Sequence, residues 1–196
     1  GEGQPLGNYM NCGGSLLGIF ACKDEDSLIR QMPGRIVGMT TTVDGRDRAF
    51  CMVLQTREQH IRRHKATSNI CTNEALCALR AAVYMALLGR SGFKELGEII
   101  LSETYYTIRQ LSEIEGIRVP IFEAPHFKDF TVNFDQTSKS VQEVNHRLSE
   151  RGILGGKPLS REFPELGQTS LYCVTELHTH EEIERLQKSI MEILED

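Results

Sequence analysis

Apolar and polar positions divide this chain into a front of long apolar runs and a back of short alternating elements. Residues 15–22, SLLGIFAC, form an unbroken apolar run between Gly13-Gly14 and Lys23-Asp24, the pattern of a strand buried on both faces. Asp24 to Gln31 is a polar connector, and Pro33-Gly34 interrupts the chain. The β-rich runs IVGMTTTV (36–43) and DRAFCMVLQ (47–55) flank Asp44-Gly45, which predicts a hairpin. From Ile70 the period turns helical, with Leu76, Leu79, Val83 and Leu87 on one stripe and Gly89 as the stop. A second helix is predicted from Gly92, carrying Phe93, Leu96, Ile100, Ile108 and Leu111 along one side.

Past Gly116 the elements shorten. IRVPIF (117–122) reads as an edge strand, because Pro120 has no N–H for a ladder. DFTVNF (129–134) alternates Phe130, Val132 and Phe134 with polar neighbours. SVQEVNHRL (140–148) opens with the capping-box pattern Ser140-x-x-Glu143 and sets Val141, Val144 and Leu148 on one face. The loop ILGGKPL (153–159) and the strand SLYCVTEL (170–177) follow. A last helix is opened by Thr179-x-x-Glu182 and striped by Ile183, Leu186, Ile190 and Leu194. No internal repeat or low-complexity segment is present.

Composition narrows the class. At 196 residues, 40% hydrophobic and 25% charged, the chain has the make-up of a soluble globular protein of one medium or two small domains. No apolar run approaches the ~20 residues of a membrane crossing, and no signal segment opens the chain. It begins GEGQPLGN, without methionine, which reads as the edge of an excised piece. The cysteines at 12, 22, 51, 71, 77 and 173 include no CxxC pair, which argues against a zinc knuckle or a dithiol redox centre. They are expected to be reduced, small core residues of a cytoplasmic protein.

Charge singles out one stretch. The net charge is -5, yet REQHIRRHKATSNICT (57–72) gathers Arg57, Arg62, Arg63, Lys65 and two histidines against the single acid Glu58. Thr67, Ser68 and Asn69 follow, then the helical period, with Glu74 expected in the first turn. Three readings stand beside one another: a solvated charged loop, a nucleic-acid contact, or a phosphate or carboxylate cradle. Nucleic acid is disfavoured by the acidic remainder and by the lack of interleaved aromatics. A cradle is favoured by the order cations, small hydroxyls, helix start, since a helix N-terminus offers unpaired N–H groups and partial positive charge.

Other clusters point to less. Gly13-Gly14 with Gly18 is not GxGxxG and precedes a strand, so a dinucleotide fold is not indicated. His178 and His180 have no third metal ligand at suitable spacing, and His180 is expected in the last helix's first turn. His60 and His64 fall in loop-like sequence, and Cys71 is read as a buried thiol. No nucleophile, base and acid can be assembled from spacing alone.

PGRIVG (33–38), LQTREQHIRRHKATSNICT (54–72) and LYCVTELHTHEEIERL (171–186) together resemble the glycine decarboxylase P-protein family. The likeness is to the carboxyl-terminal portion of its subunit 1, where the enzyme is split into two chains. It runs over essentially the whole sequence and is weakest between about residues 105 and 165. It implies an α/β fold, the C-terminal part of a fold-type I pyridoxal-phosphate enzyme. Residues 1–88 would be the end of the large domain with its hairpin and exit helix, and residues 89–196 the small α/β domain.

The implied activity is glycine decarboxylation, with transfer of the aminomethyl group to the lipoyl H-protein. Gln4 falls where the family's catalytic half has its cofactor lysine, and no lysine precedes Lys23. An amide cannot hold the cofactor covalently, so the resemblance implies a heterodimer in which subunit 2 supplies the lysine. The fragment alone would then be inactive, and Thr67, Ser68 and Asn69 would reach across to the partner's cofactor phosphate. No nucleic acid or membrane partner is implied. The competing class is a non-enzymatic module that binds anions or nucleic acid through residues 57–69, expected to show steep salt dependence. A cysteine-desulfurase-like or aminotransferase subunit is a third option, disfavoured by the missing lysine and the specific 54–72 match.

Overall fold

Two units, Gly1–Leu88 and Gly89–Asp196, make up the chain in a computed structural model that describes residues 1–9, 16–34, 36–53, 63–66 and 74–196. In the first unit a short helix, α1 (Asp26–Ile29), precedes a hairpin of β1 (Ile36–Thr41) and β2 (Arg48–Val53). Its antiparallel register pairs Ile36 with Val53 and Thr41 with Arg48. The turn closes through Thr42 N–H to the Asp47 carbonyl at 2.9 Å and Gly45 N–H to the Thr42 carbonyl at 2.8 Å. Gly45 sits at φ 70°, a conformation glycine adopts without the Cβ clash other residues meet. Thr42 Oγ1 also donates to Asp44, whose carboxyl is held below its usual range by that bond first and by the Arg46 N–H second.

One expectation for this unit is overturned. The described part of the 15–22 run is extended but forms no strand; it makes one isolated bridge, Glu2 to Gly18. Leu16, Ile19 and Phe20 are exposed: residues 1–3 pair with the backbone edge of the run at Leu17 and Ile19 and leave these side chains uncovered. The stripe Leu76, Leu79, Val83 and Leu87 also faces outward, with Leu76 80% and Leu87 81% exposed. The covered side of that helix is instead the line Cys77, Ala81, Tyr84 and Leu88, of which Ala81 is fully buried. Tyr84 there packs on Gly7, where an added Cβ would lie 2.8 Å from its ring. One face of the hairpin is equally bare: Val37, Met39, Phe50 and Met52 are all more than half exposed.

The long helix α2 (Ala75–Ser112) is broken at Gly89, whose φ of 58° and ψ of -173° are not helical, as expected of a glycine stop. Its 38 residues and mean hydropathy of 1.2 over 18 of them are long and apolar enough for a membrane crossing by length and composition alone, which the unbroken-run reading had not found.

The second unit has its own core. Strands β3 (Asp129–Asn133), β4 (Lys157–Pro158) and β5 (Thr169–Cys173) form an antiparallel sheet in the order β3-β5-β4. Helices α3 (Val141–Glu150) and α4 (His180–Glu195) complete the unit with the part of α2 beyond Gly89. Phe130, Val132, Phe134 and Tyr172 pack with Leu111, Val141, Val144, Leu148, Ile190 and Ile193, most of them less than 2% exposed. Ser140 caps α3 by accepting the Glu143 N–H at 3.2 Å. The return half of that box is absent, the Glu143 carboxylate lying 3.1 Å from Lys139 instead. The α4 box is complete: Thr179 accepts from Glu182 N–H, and Glu182 accepts from Thr179 N–H at 2.9 Å. The 117–122 segment makes a single bridge, Arg118 to Asn133, in place of the expected edge strand. Pro120, in a cis peptide bond, has no N–H to extend it.

Candidate functional site

Thr67, Ser68 and Asn69 are the sequence's candidates for an anion cradle. All three lie outside the described residues, as do Arg57, Glu58, His60, Arg62 and Cys71. Beside them, Arg63, His64 and Lys65 form one exposed 3-10 turn, and Ala66 is half-buried. Among the described residues no acid forms an ion pair with that turn. Glu74 precedes the first helical residue, its carbonyl taking the Ala78 N–H at 2.8 Å. It is therefore a cap-position residue, not the first-turn acid that was expected.

Gln4 has a definite local role. Its Nε2 donates to the Tyr9 carbonyl, and its Oε1 accepts the Leu17 N–H at 3.3 Å. Its own carbonyl takes the Asn8 N–H at 3.2 Å, and the Arg80 guanidinium stacks 4.2 Å from the centre of the Tyr9 ring. The side chain thus uses both ends of an amide to bracket two backbone segments, an arrangement a lysine, with no acceptor, does not reproduce. Lys23 and Lys65, the lysines of this unit, are exposed.

A polar cluster in the second unit was not visible in the sequence. His180 stacks on Tyr106 with ring centroids 4.1 Å apart and places Nε2 3.2 Å from Glu103 Oε2. The Tyr106 hydroxyl donates to Glu184 Oε1 at 3.0 Å, and Arg109 lies 5.5 Å over its ring. Partial burial, then Glu184, pushes the Tyr106 phenol up. The two sides of the cluster are 78 residues apart for Tyr106 and Glu184, beyond the reach of any local pattern. It joins two helices through one ring stack, one His–Glu contact and one Tyr–Glu hydrogen bond.

His180 occupies the first turn of α4 as expected. His178 turns away, its Nδ1 accepting the Thr175 N–H at 3.0 Å. Among the described residues no group of three or more His, Cys, Asp or Glu is arranged to hold a metal. The described cysteines are free thiols, but Cys22, Cys51 and Cys173 are exposed and Cys77 is half-buried, against the expected core positions. Cys22 and Cys51 belong to the unit that lacks cover. Cys173 points to the sheet face away from the core, across from Asp129.

Comparison with known proteins agrees with the folded pattern. The model of the glycine cleavage system P-protein family matches residues 1–190. The probable glycine dehydrogenase (decarboxylating) subunit 1 of Staphylothermus marinus is 52% identical over 196 residues, 100% of this chain and 41% of that protein. Its counterpart in Thermococcus onnurineus is 51% identical over 193 residues, 98% of this chain and 42% of its own. The chain therefore spans about two-fifths of these relatives' length. A crystal structure of glycine decarboxylase (P-protein) in inhibitor-bound form superposes with a TM-score of 0.81 at 35% identity, covering 98% of this chain and 42% of its own. At the level of fold alone, a C-DES mutant with glycine covalently linked to its PLP cofactor gives a TM-score of 0.51 at 14% identity over 78% of this chain and 35% of its own.

Proposed function

This chain belongs to the glycine cleavage system P-protein family, and on that premise we propose that it is the carboxyl-terminal portion of a subunit 1 that works with a subunit 2 to decarboxylate glycine. The fold is that of fold-type I pyridoxal-phosphate enzymes. The cofactor, when bound, supplies the electron sink for loss of the carboxylate, and the proposed holder of its lysine is subunit 2. The lipoyl H-protein is the proposed acceptor of the aminomethyl group, in a cytoplasmic assembly without nucleic acid or membrane. Residues 1–88 are assigned to the end of the large domain and 89–196 to the small domain. Thr67, Ser68 and Asn69 are assigned hydrogen bonds to the cofactor phosphate across the interface.

The observation that carries this reading is the family match over residues 1–190. Two features of the chain support it. Gln4 is engaged with backbone and offers no amine. The first unit leaves the hairpin face and the Leu76–Leu87 stripe bare, as expected of surfaces that further polypeptide covers. Exchange of the glycine carboxyl with bicarbonate tests the reading. Full-length subunit 1 with subunit 2 is expected to catalyse it, and neither alone. Exchange by this chain in isolation would overturn the proposal.

A further inference from the structure

Between Glu74 and Arg90 the helix α2 reads ALCALRAAVYMALLG, with Arg80 as its one charge, and the Arg80 guanidinium is stacked on the Tyr9 ring. An amphipathic surface helix sets charged residues opposite its core face, whereas a helix apolar all round is made to be enclosed. Among the described residues one side of this helix is enclosed. Cys77, Ala81, Tyr84 and Leu88 form that covered line, within about 60° of one another around the axis. Leu76, Leu79, Val83 and Leu87 occupy a second arc of about 80°, and each is more than half exposed. Ala78, Ala82 and Ala86 lie on a third side, also exposed.

Spacing and area say what kind of polypeptide covers the leucine arc. Apolar residues three and four apart form the ridges and grooves in which another helix packs, at an axis separation of about 8–10 Å. The four side chains expose roughly 100 Å² each, on the order of 400 Å² together. That is near half of the ~800 Å² one partner brings to a standard interface between separate chains. The polar rim of such interfaces is missing along the arc, Arg80 being engaged with Tyr9. A segment of the same polypeptide needs less area, because its linkage supplies a high effective concentration. The subunit 1 relatives extend well beyond the part matched by this chain, which is 41% and 42% of their length.

We propose that the Leu76–Leu87 arc is an internal seam of subunit 1. A helix from the portion of the subunit amino-terminal to these residues lies along it, and neither subunit 2 nor a second copy of subunit 1 does. The inference rests on the assignment, proposed above, of this chain to the carboxyl-terminal portion of subunit 1. The covering helix presents its own aliphatic residues at three- and four-residue spacing. With that cover in place, residues 75–88 become a central helix of the large domain and not its edge.

Photo-crosslinking of the assembled enzyme is the test. Full-length subunit 1 grown with photo-leucine, a diazirine close to leucine in shape, is combined with unlabelled subunit 2 and irradiated. Products are separated by mass, and adducts from Leu76, Leu79 and Leu87 are mapped by mass spectrometry. Adducts within a single subunit 1 chain, joined to peptides amino-terminal to this chain, are expected. Adducts to subunit 2, adducts at twice the mass of subunit 1, or no protein adduct would overturn the proposal. A second readout needs no partner. Leu79→Asp should lower the thermal midpoint of subunit 1 alone by at least about 5 °C, while Leu79→Met, of similar volume, should leave it nearly unchanged. An unchanged midpoint in Leu79→Asp with loss of subunit 2 binding would contradict the seam. Carboxyl exchange by the unlabelled complex is scored separately. Its absence counts against the family-based reading, whereas a misplaced adduct in an active complex counts against the seam alone.

Discussion

Phe130 and Tyr172 face each other across β3 and β5 as register partners, their ring centroids 6.1 Å apart and nearly parallel. Around this pair closes the second unit's core, Phe130 itself being 1% exposed. Truncating Phe130 removes an aromatic ring from a site with no room to collapse, because Val132, Leu111 and Ile190 around it are equally sealed. Phe130→Ala should cost about 3–5 kcal/mol. Urea unfolding followed by far-ultraviolet circular dichroism measures it.

The exposed stripe of the first unit predicts the opposite response. Leu79 is 61% and Val83 51% exposed, so Leu79→Ser with Val83→Ser should change the isolated chain's stability by no more than about 0.5 kcal/mol per site. In full-length subunit 1 the same change should weaken co-purification with subunit 2 or destabilise the subunit itself. Unchanged assembly and unchanged thermal stability would show that the stripe is covered by nothing.

Acid should loosen the second unit through Asp135. Its Oδ2 takes the Asn133 amide at 2.8 Å and its Oδ1 the Gln168 N–H at 2.7 Å. The Asn133 bond first, then the Gln168 bond, holds the carboxyl below its ordinary range. A depressed folded-state value gives stability that is complete above the unfolded value of about 3.9 and lost as pH falls through the folded value. Asp135→Asn should lower stability at neutral pH and flatten the acid limb below about pH 4. Unfolding midpoints against pH for both proteins check this.

Arg151 ties α3 to α4, donating from Nη1 to Glu192 Oε2 at 2.6 Å and to the Ser189 carbonyl at 3.3 Å. Its carbonyl in turn takes the Arg185 guanidinium. The ion pair is about a third to half exposed, so screening limits its value and Arg151→Ala should cost about 1 kcal/mol. Raising salt should narrow the gap between wild type and variant, because exposed charge pairs are screened.

Legibility in the sequence followed the availability of cover. In the second unit DFTVNF, the Ser140 and Thr179 caps and the Val141, Val144, Leu148 face all appear in the structure where their patterns placed them. Each of those elements buries its apolar face inside the unit. In the first unit the run with Leu16, Ile19 and Phe20 and the Leu76–Leu87 stripe carry the same kinds of pattern, yet these side chains lie exposed. Periodicity shows that a face is made for burial and is silent on which polypeptide buries it. The Glu103, His180 and Tyr106 cluster was illegible for another reason, since its members are single residues on two helices brought together only by tertiary packing. The proposed phosphate contacts at Thr67, Ser68 and Asn69 fall outside the described residues and rest on the family pattern.

Borohydride reduction of the complex of full-length subunit 1 with subunit 2, followed by peptide mapping, tests most directly where the cofactor is held. A stoichiometric pyridoxyl group on a lysine of subunit 2, with none on residues 1–196, is the expected result. A pyridoxyl-lysine within this chain, at Lys23 or Lys65 for example, would contradict the assignment of the cofactor to the partner.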